Sequence, residues 1–201
     1  MKSYLRCLKF LQLSIPALLA VVMPSPAHAH AGADSASGWI HGFTHPLGGA
    51  DHVIAMIAVG LWAAQTAGRA IWLVPLTFVI TMMLGGLMGI AGVTMDYAEL
   101  GIVMSLLVFG VLIAAEIRLP LAVSTAVVGV FALCHGYAHG AEMPHNISSF
   151  AYATGFILST VLLHTCGIGI ALYAQGAGRQ QWLRVVGIAA ALCGGGFLLA
   201  S

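Results

Sequence analysis

Long runs of apolar residues, each about as long as a bilayer is thick, constrain the fold of this chain more than any other feature. A helix of about 20 apolar residues crosses the hydrocarbon core of a membrane, and it satisfies its own backbone hydrogen bonds there. After an N-terminal apolar segment, six such runs follow with short polar turns between them: 44–65, 70–92, 97–115, 119–138, 148–174 and 182–200. The pattern predicts an all-α polytopic membrane helix bundle with six transmembrane helices, surrounded by the lipid bilayer.

Composition excludes a water-soluble fold. Apolar residues make up 60% of the 201 residues and charged residues only 6%, and the mean hydropathy is +1.00. Soluble domains carry about 25% charged residues. Seven lysines and arginines with a net charge of +1 cannot build the basic surface that nucleic acid requires, so we expect no nucleic-acid partner.

The first 29 residues have the layout of a secretory signal peptide. A basic start precedes an apolar core at 11–23, and the sequence Ala-His-Ala at 27–29 forms a small-x-small cleavage site. Cleavage after Ala29 would leave residues 30–201 as a single transmembrane domain without a dividing linker. An uncleaved first membrane helix is the alternative.

The arginines predict the orientation in the membrane. Positively charged residues favour the cytoplasmic side of short membrane loops. Acidic residues fall on the opposite side from the arginines, at Asp96, Glu99 and Glu142. We therefore expect a multi-pass protein of the inner (plasma) membrane with its mature N-terminus and its C-terminus outside, in agreement with the signal peptide. Four arginines lie in or beside the connections after the first, third and fifth runs: Arg69, Arg118, Arg179 and Arg184.

Glycines within the runs allow two interpretations. Gly85 and Gly89 in the second run and Gly167 in the fifth occupy loosely corresponding places in two halves of three runs each, as in transporters built from inverted repeats. The simpler interpretation is close helix packing, because small residues let neighbouring backbones approach. Gly136 and Gly140 fit that packing role as well.

The first polar motif is His-Pro-Leu-Gly-Gly-Ala-Asp-His at residues 45–52. If the segment is a continuous helix, His45 and His52 lie seven residues apart on one face; the proline and glycines could instead loosen this turn. An ionised Asp51 in the apolar zone costs about 2.5–3.5 kcal/mol. We therefore expect a cation or a buried partner beside it, the alternative being that Asp51 pairs with a histidine only to hold helices together.

The second polar motif is Cys-His-Gly-Tyr-Ala-His-Gly-Ala-Glu at residues 134–142. His135, His139 and Glu142 follow i, i+4, i+7 spacing, so one helical face presents two imidazoles and a carboxylate. Such a mixture of nitrogen and oxygen donors suits divalent transition metals. Because the topology places both motifs at the outer membrane face, we expect them to share one metal site.

Two further residues are candidate metal ligands. Glu99, near the outer start of the third run, either completes the site or is a solvated carboxylate at its mouth. His164, deep in the fifth run, is either a relay ligand on the path or a core histidine bonded to a backbone carbonyl. His30, His41 and His145 lie outside and could capture metal only loosely. Unpaired thiols are expected at Cys134, Cys166 and Cys193, because their spacing and apolar surroundings favour no disulfide.

At these two motifs the chain resembles the HupE/UreJ family of bacterial membrane proteins, with His-Pro-x-x-Gly-x-Asp-His at 45–52 and His-Gly-x-Ala-His-Gly-x-Glu at 135–142. The resemblance implies a nickel or cobalt permease, often linked to the supply of hydrogenase or urease. The first motif also looks like the His-x(4)-Asp-His motif of larger nickel–cobalt permeases. Five residues separate His45 from Asp51 here, so that family's geometry is not transferred. The residues carried over are His45, Asp51, His52, His139 and Glu142.

The expected activity is secondary uptake of Ni²⁺ or Co²⁺, with the metal as cargo and no tightly bound cofactor. The chain has no Gly-x-x-x-x-Gly-Lys-Ser/Thr phosphate loop of the kind that binds nucleotide. A membrane potential of 100 mV supplies about 4.6 kcal/mol to an entering divalent ion. We expect transport and not catalysis; a membrane-bound metalloenzyme and a non-transporting metal-binding accessory protein are the alternatives. The sequence leaves the oligomeric state open and allows a homo-oligomer.

Overall fold

The computed structural model describes residues 33–144 and 147–200. The predictions that concern the signal peptide, His30 and His145 lie outside these residues, and the single-domain assignment stays a prediction. Throughout the described residues the chain is helical, with no strand. A 3₁₀ turn, His45–Leu47, follows the first of seven α-helices: α1 Ala33–Thr44, α2 Ala50–Thr66, α3 Ala70–Ile90, α4 Ala98–Ala114, α5 Leu121–Ala141, α6 Ser149–Gly176 and α7 Gln180–Ala200.

The helices confirm a multi-pass membrane protein but not six uninterrupted spans. Four of them, α3, α5, α6 and α7, are long and apolar enough to cross a bilayer, and a fifth span results if α1 and α2 form one broken span. Helix α4 has only 17 residues, or about 26 Å of helix, slightly short of the roughly 30 Å hydrocarbon core. Four to five spans are therefore identified by length and composition among the described residues.

The first predicted span is broken, and the continuous helix considered for residues 44–65 is wrong. The axis bends by 80° between α1 and α2. Pro46 lacks a backbone donor and so cannot continue a helical ladder, and Gly49 has an extended backbone with φ −107° and ψ 121°. His45 therefore lies in the turn before the bend, and the loosened turn is the correct alternative.

Helix α2 lies at the centre of the bundle. It contacts α3, α4, α6 and α7, and its most extensive partner is α6. Side chains along its length, such as Met56, Val59 and Trp62, are fully buried. The other two extensive pairings join α3 to α5 and α4 to α7. The motif residues at the start of α2 are consequently held by a helix that is packed on several sides.

Glycines make the closest contacts between paired helices, as the packing interpretation predicts. A Cβ atom at Gly136 of α5 would meet the carbonyl oxygen of Met82 in α3, and one at Gly60 of α2 would meet that of His164 in α6. Helix α1 packs on α6 in the same way, because a Cβ at Gly155 would meet the carbonyl oxygen of Trp39. The inverted-repeat interpretation stays a prediction.

The two ends of the bundle differ in their polar residues. His45 and Glu142 lie together at one end, which we name the histidine end. Helices alternate in direction along the chain, so the connections that follow α2, α4 and α6 lie at the opposite end, which we name the arginine end. These connections contain Arg69, Arg118 and Arg179. This segregation is the one on which the predicted orientation depends; the direction of insertion itself stays a prediction.

Candidate metal site

Three separate parts of the chain bring side chains to the histidine end. His45 lies in the 3₁₀ turn, and Asp51 and His52 lie in the first turn of α2. The last two turns of α5 carry His135 and His139, and Glu142 is the residue that caps this helix. The bend at Pro46 turns the chain so that His45 faces the end of α5.

At the mouth of the site, His45 meets the second motif. His45 Nε2 lies 3.2 Å from Glu142 Oε2, and one ligand atom each of His45, His139 and Glu142 lies within 4.8 Å of the others. Ligand atoms on opposite sides of a zinc-sized ion, at bonds of about 2.1 Å, are roughly 4.2 Å apart. A small contraction would therefore let these three residues, which we name the mouth group, hold one ion.

Two side chains of the mouth group are accessible to solvent, and the third is buried. The side chains of His45 and Glu142 are 32% and 59% exposed, whereas His139 is buried. The His139 ring contacts that of His45 at a centroid distance of 4.7 Å. An ion arriving from solvent would meet a histidine and a carboxylate first and a buried histidine next.

Asp51 orients His52. The two side chains form a hydrogen bond of 2.9 Å between Asp51 Oδ1 and His52 Nδ1. An ionised carboxylate can only accept, so Nδ1 donates and Nε2 keeps its lone pair. A carboxylate behind a histidine is a common arrangement in metal sites, where it fixes the tautomer of the ligand. The bond joins neighbours on one helix, so it does not hold two helices together as the structural alternative supposed.

Ser105 orients His135 in a similar way. The Ser105 hydroxyl donates to the backbone oxygen of Ile102 at 2.6 Å, and its Oγ lies 3.1 Å from His135 Nε2. Because the hydroxyl proton is already used, His135 Nε2 donates to Ser105, and His135 Nδ1 keeps its lone pair. The sequence contained no signal for Ser105, which lies alone in an apolar run.

His52 and His135 form a second group behind the mouth, which we name the buried pair because His52 Nε2 and His135 Nδ1 are both buried. Their rings contact at a centroid distance of 5.1 Å, and the His52 ring lies 4.3 Å from that of His139. Within the described residues, His52 Nε2, His135 Nδ1 and both ring nitrogens of His139 are buried without a hydrogen-bond partner. Buried polar atoms normally have partners, and each one without a partner costs about 1–3 kcal/mol. The cluster thus presents free lone pairs where a cation could bind.

His164 lies deeper in the bundle. It is 2% exposed, and neither ring nitrogen has a hydrogen-bond partner among the described residues. The core histidine bonded to a backbone carbonyl, one of its two predicted states, is therefore wrong. The ring of Phe78 contacts His164 at 4.8 Å and His135 at 5.7 Å, so it lies against both imidazoles.

Other predicted residues lie apart from the cluster. Glu99 is exposed in the first turn of α4. It takes no part in the hydrogen bonds and ring contacts described above for the cluster. His41 is exposed on α1. Among the described residues, no disulfide joins Cys134, Cys166 or Cys193.

Two aromatic residues of α6 also contact the cluster, and the sequence did not indicate them as site residues. Tyr152 lies 5.8 Å from the His45 ring and Phe156 lies 4.5 Å from the His139 ring. These two residues are four apart on one face of α6, a spacing common to any buried helix. Their role at the site follows only from the contact of α6 with α2.

Comparisons with known proteins agree with the two motifs. The chain is 43% identical over 182 residues to Protein HupE of Rhizobium leguminosarum bv. viciae, and the match covers 90% of this chain and 95% of that relative. No solved structure matches the chain. The model of the family described as HupE / UreJ protein matches residues 18–197. The chain therefore belongs to the HupE / UreJ family.

Proposed function

We propose that this protein is a secondary uptake permease for Ni²⁺ or Co²⁺ in the bacterial inner membrane. The observation that carries the proposal is the continuous row of imidazoles from the partly exposed His45 through His139 and His52 to the buried His135. In this proposal the histidine end faces outside, and the mouth group captures the metal.

The donors favour a divalent transition metal over magnesium or calcium. Imidazole nitrogen suits nickel, cobalt, zinc and copper, whereas magnesium and calcium prefer sites made of oxygen. Asp51 and Glu142 can supply two negative charges, which match the charge of one divalent ion. The choice of nickel or cobalt within this group follows from the resemblance of the two motifs to those of the HupE/UreJ family, which implies supply of hydrogenase or urease.

The arrangement of the lone pairs supports transfer as well as binding. His52 Nε2 and His135 Nδ1 are buried without partners and lie behind a mouth group that is open to solvent. An ion can exchange one imidazole for the next without becoming bare in the membrane, where an isolated charge is costly. The membrane potential supplies about 4.6 kcal/mol per 100 mV for a divalent ion that moves inward, so uptake needs no nucleotide.

A non-transporting metal-binding accessory protein is the second candidate. The mouth group alone, with its partly exposed His45 and Glu142, would be enough to bind and present a metal ion. It would not require a row of buried imidazoles behind the mouth. A metalloenzyme would use the same ligands for catalysis, and the uptake experiment separates both from a permease.

The test is uptake of radioactive nickel and cobalt, at low metal concentration, by cells that lack other high-affinity importers. Cells with the parent protein are compared with cells that carry the vector alone and with cells that produce Asp51→Asn in equal amounts in the membrane. We expect uptake only with the parent protein. If the parent protein is present in the membrane and neither metal enters above the vector level, the permease proposal is wrong.

A further inference from the structure

We propose that His164 is a separate metal-binding station, which takes the ion from the buried pair and holds it midway through the bundle. This inference rests on the proposed function, since it assigns the next step of the same path. His164 lies outside both sequence motifs, and the mouth group does not need it to bind metal.

The first support is the unpaired state of a fully buried imidazole. Both nitrogens of His164 lack a hydrogen-bond partner in the described part of the chain. A histidine that served only packing would be replaced at no cost by leucine or phenylalanine, whereas an unpaired buried polar group costs free energy. The backbone at His164 is held in place all the same, because its carbonyl oxygen lies against Gly60 at a close approach of α2 and α6.

The second support is depth along α6. Phe156 of this helix lies against His139, and His164 follows Phe156 by eight residues, or about 12 Å along the helix axis. On α5, His135 is only four residues, or about 6 Å, deeper than His139. His164 therefore lies about one helical turn beyond the buried pair.

The third support is a short path between the two positions. The Phe78 ring contacts both His135 and His164, so the two imidazoles are no further apart than the sum of those two ring distances. His135 presents its free Nδ1 at the start of this path. An ion that leaves Nδ1 would reach the next unpaired imidazole within that distance, once the Phe78 ring between the two contacts moves aside.

The depth of His164 in the bundle also fits a path that an ion enters from the histidine end. His164 is the sixteenth residue of the 28 in α6, near the middle of the bundle. Toward the arginine end the buried described residues are mainly apolar, with Trp62, Phe109 and Ile113 fully buried, and the polar exceptions, Gln65 and Ser124, are not histidines or carboxylates. Transporters that alternate access hold their cargo near the membrane midplane, and His164 supplies a donor at that level.

The first experiment measures the number of cobalt ions bound by the purified protein in lipid nanodiscs, together with uptake in cells. Substitution His164→Ala should lower the saturating stoichiometry by one ion per chain and reduce the uptake rate by about 10–100-fold. High-affinity binding at the mouth group should remain. The matched control is His41→Ala, which removes an exposed imidazole and should change neither quantity.

A second variant keeps the test decisive if His164→Ala does not accumulate. His164→Cys retains a small metal-binding side chain, and it should add a cobalt–thiolate charge-transfer band that the parent protein lacks. An unchanged stoichiometry and uptake rate in His164→Ala, or no new band in His164→Cys with the mouth group loaded, would overturn the station. If the parent protein binds cobalt but does not transport it, the proposed function fails, and the stoichiometry still decides whether His164 binds metal.

Discussion

His45 Nε2 lies 3.2 Å from Glu142 Oε2, although 97 positions separate these residues in the chain. One belongs to the turn that interrupts the first predicted span, and the other caps α5. Their contact joins the two sequence motifs at the histidine end and defines where an ion from solvent would first bind.

Glu142 should contribute its charge to metal capture. Replacing it with glutamine keeps a hydrogen-bond acceptor beside His45 but removes the negative charge, so we expect Glu142→Gln to weaken cobalt binding by about 10–100-fold. Equilibrium dialysis of the purified protein measures this affinity. Asp96→Asn, which changes an exposed acidic residue outside the mouth group, is the control; equal losses in both variants would point to a general surface charge effect.

Asp51→Asn should abolish high-affinity uptake while the protein still inserts in the membrane. The substitution removes a negative charge and also the carboxylate that makes His52 donate from Nδ1, so the free nitrogen of His52 is no longer specified. Initial rates of nickel uptake at low metal, normalised to the amount of protein in the membrane, measure the effect. Uptake equal to that of the parent would show that Asp51 has only a structural role.

Gly49→Ala should impair the site without unfolding the bundle. A Cβ at this position would lie 2.6 Å from Asp51 Oδ1 and 2.9 Å from His52 Nδ1, so it would displace both side chains of the hydrogen-bonded pair. We expect a loss of metal affinity of about 10-fold or more, with unchanged helical content by circular dichroism. Gly48→Ala is the control, because its Cβ would meet only the carbonyl oxygen of His45, at 3.3 Å. Similar affinities of the two variants would contradict this role of Gly49.

Uptake at low metal should fall as the external pH is lowered. Imidazoles must be neutral to bind metal. Free histidine titrates at about pH 6.5, so lowering the external pH from about 7.5 to about 5.5 favours the protonated form, which does not bind metal. Protons and metal compete for the same nitrogens, and more metal should restore the rate. Initial rates at several pH values, with the membrane potential clamped by potassium and valinomycin, measure the effect. Stimulation by acid would instead indicate proton-coupled symport.

The sequence predicted most of the helices and the meeting of the two motifs, because apolar length and helical spacing are local properties. The bounds of α3, α5 and α6 differ from the predicted runs by three residues or fewer. The first span was harder to predict. Pro46 and Gly49 made both a loosened turn and a continuous helix conceivable, and only packing of α1 on α6 decides between them.

The partners of the histidines could not be predicted, since they depend on contacts between distant helices. Nothing near Ser105 in the sequence indicates that its hydroxyl orients His135. The unpaired state of His164 likewise follows only from the neighbours that α2 and α3 place around it. Spacing shows which side chains share a helical face, but it does not show which atoms remain free.

Because of the 80° bend between α1 and α2, His45 and His52 belong to two different segments of the structure. Helix α1 interlocks with α6 through Gly42 and Gly155, so the turn that carries His45 is attached to α6 as well as to α2. His52 belongs to α2 itself. A tilt of α6 relative to α2 would therefore change the distance between His45 of the mouth group and His52 of the buried pair.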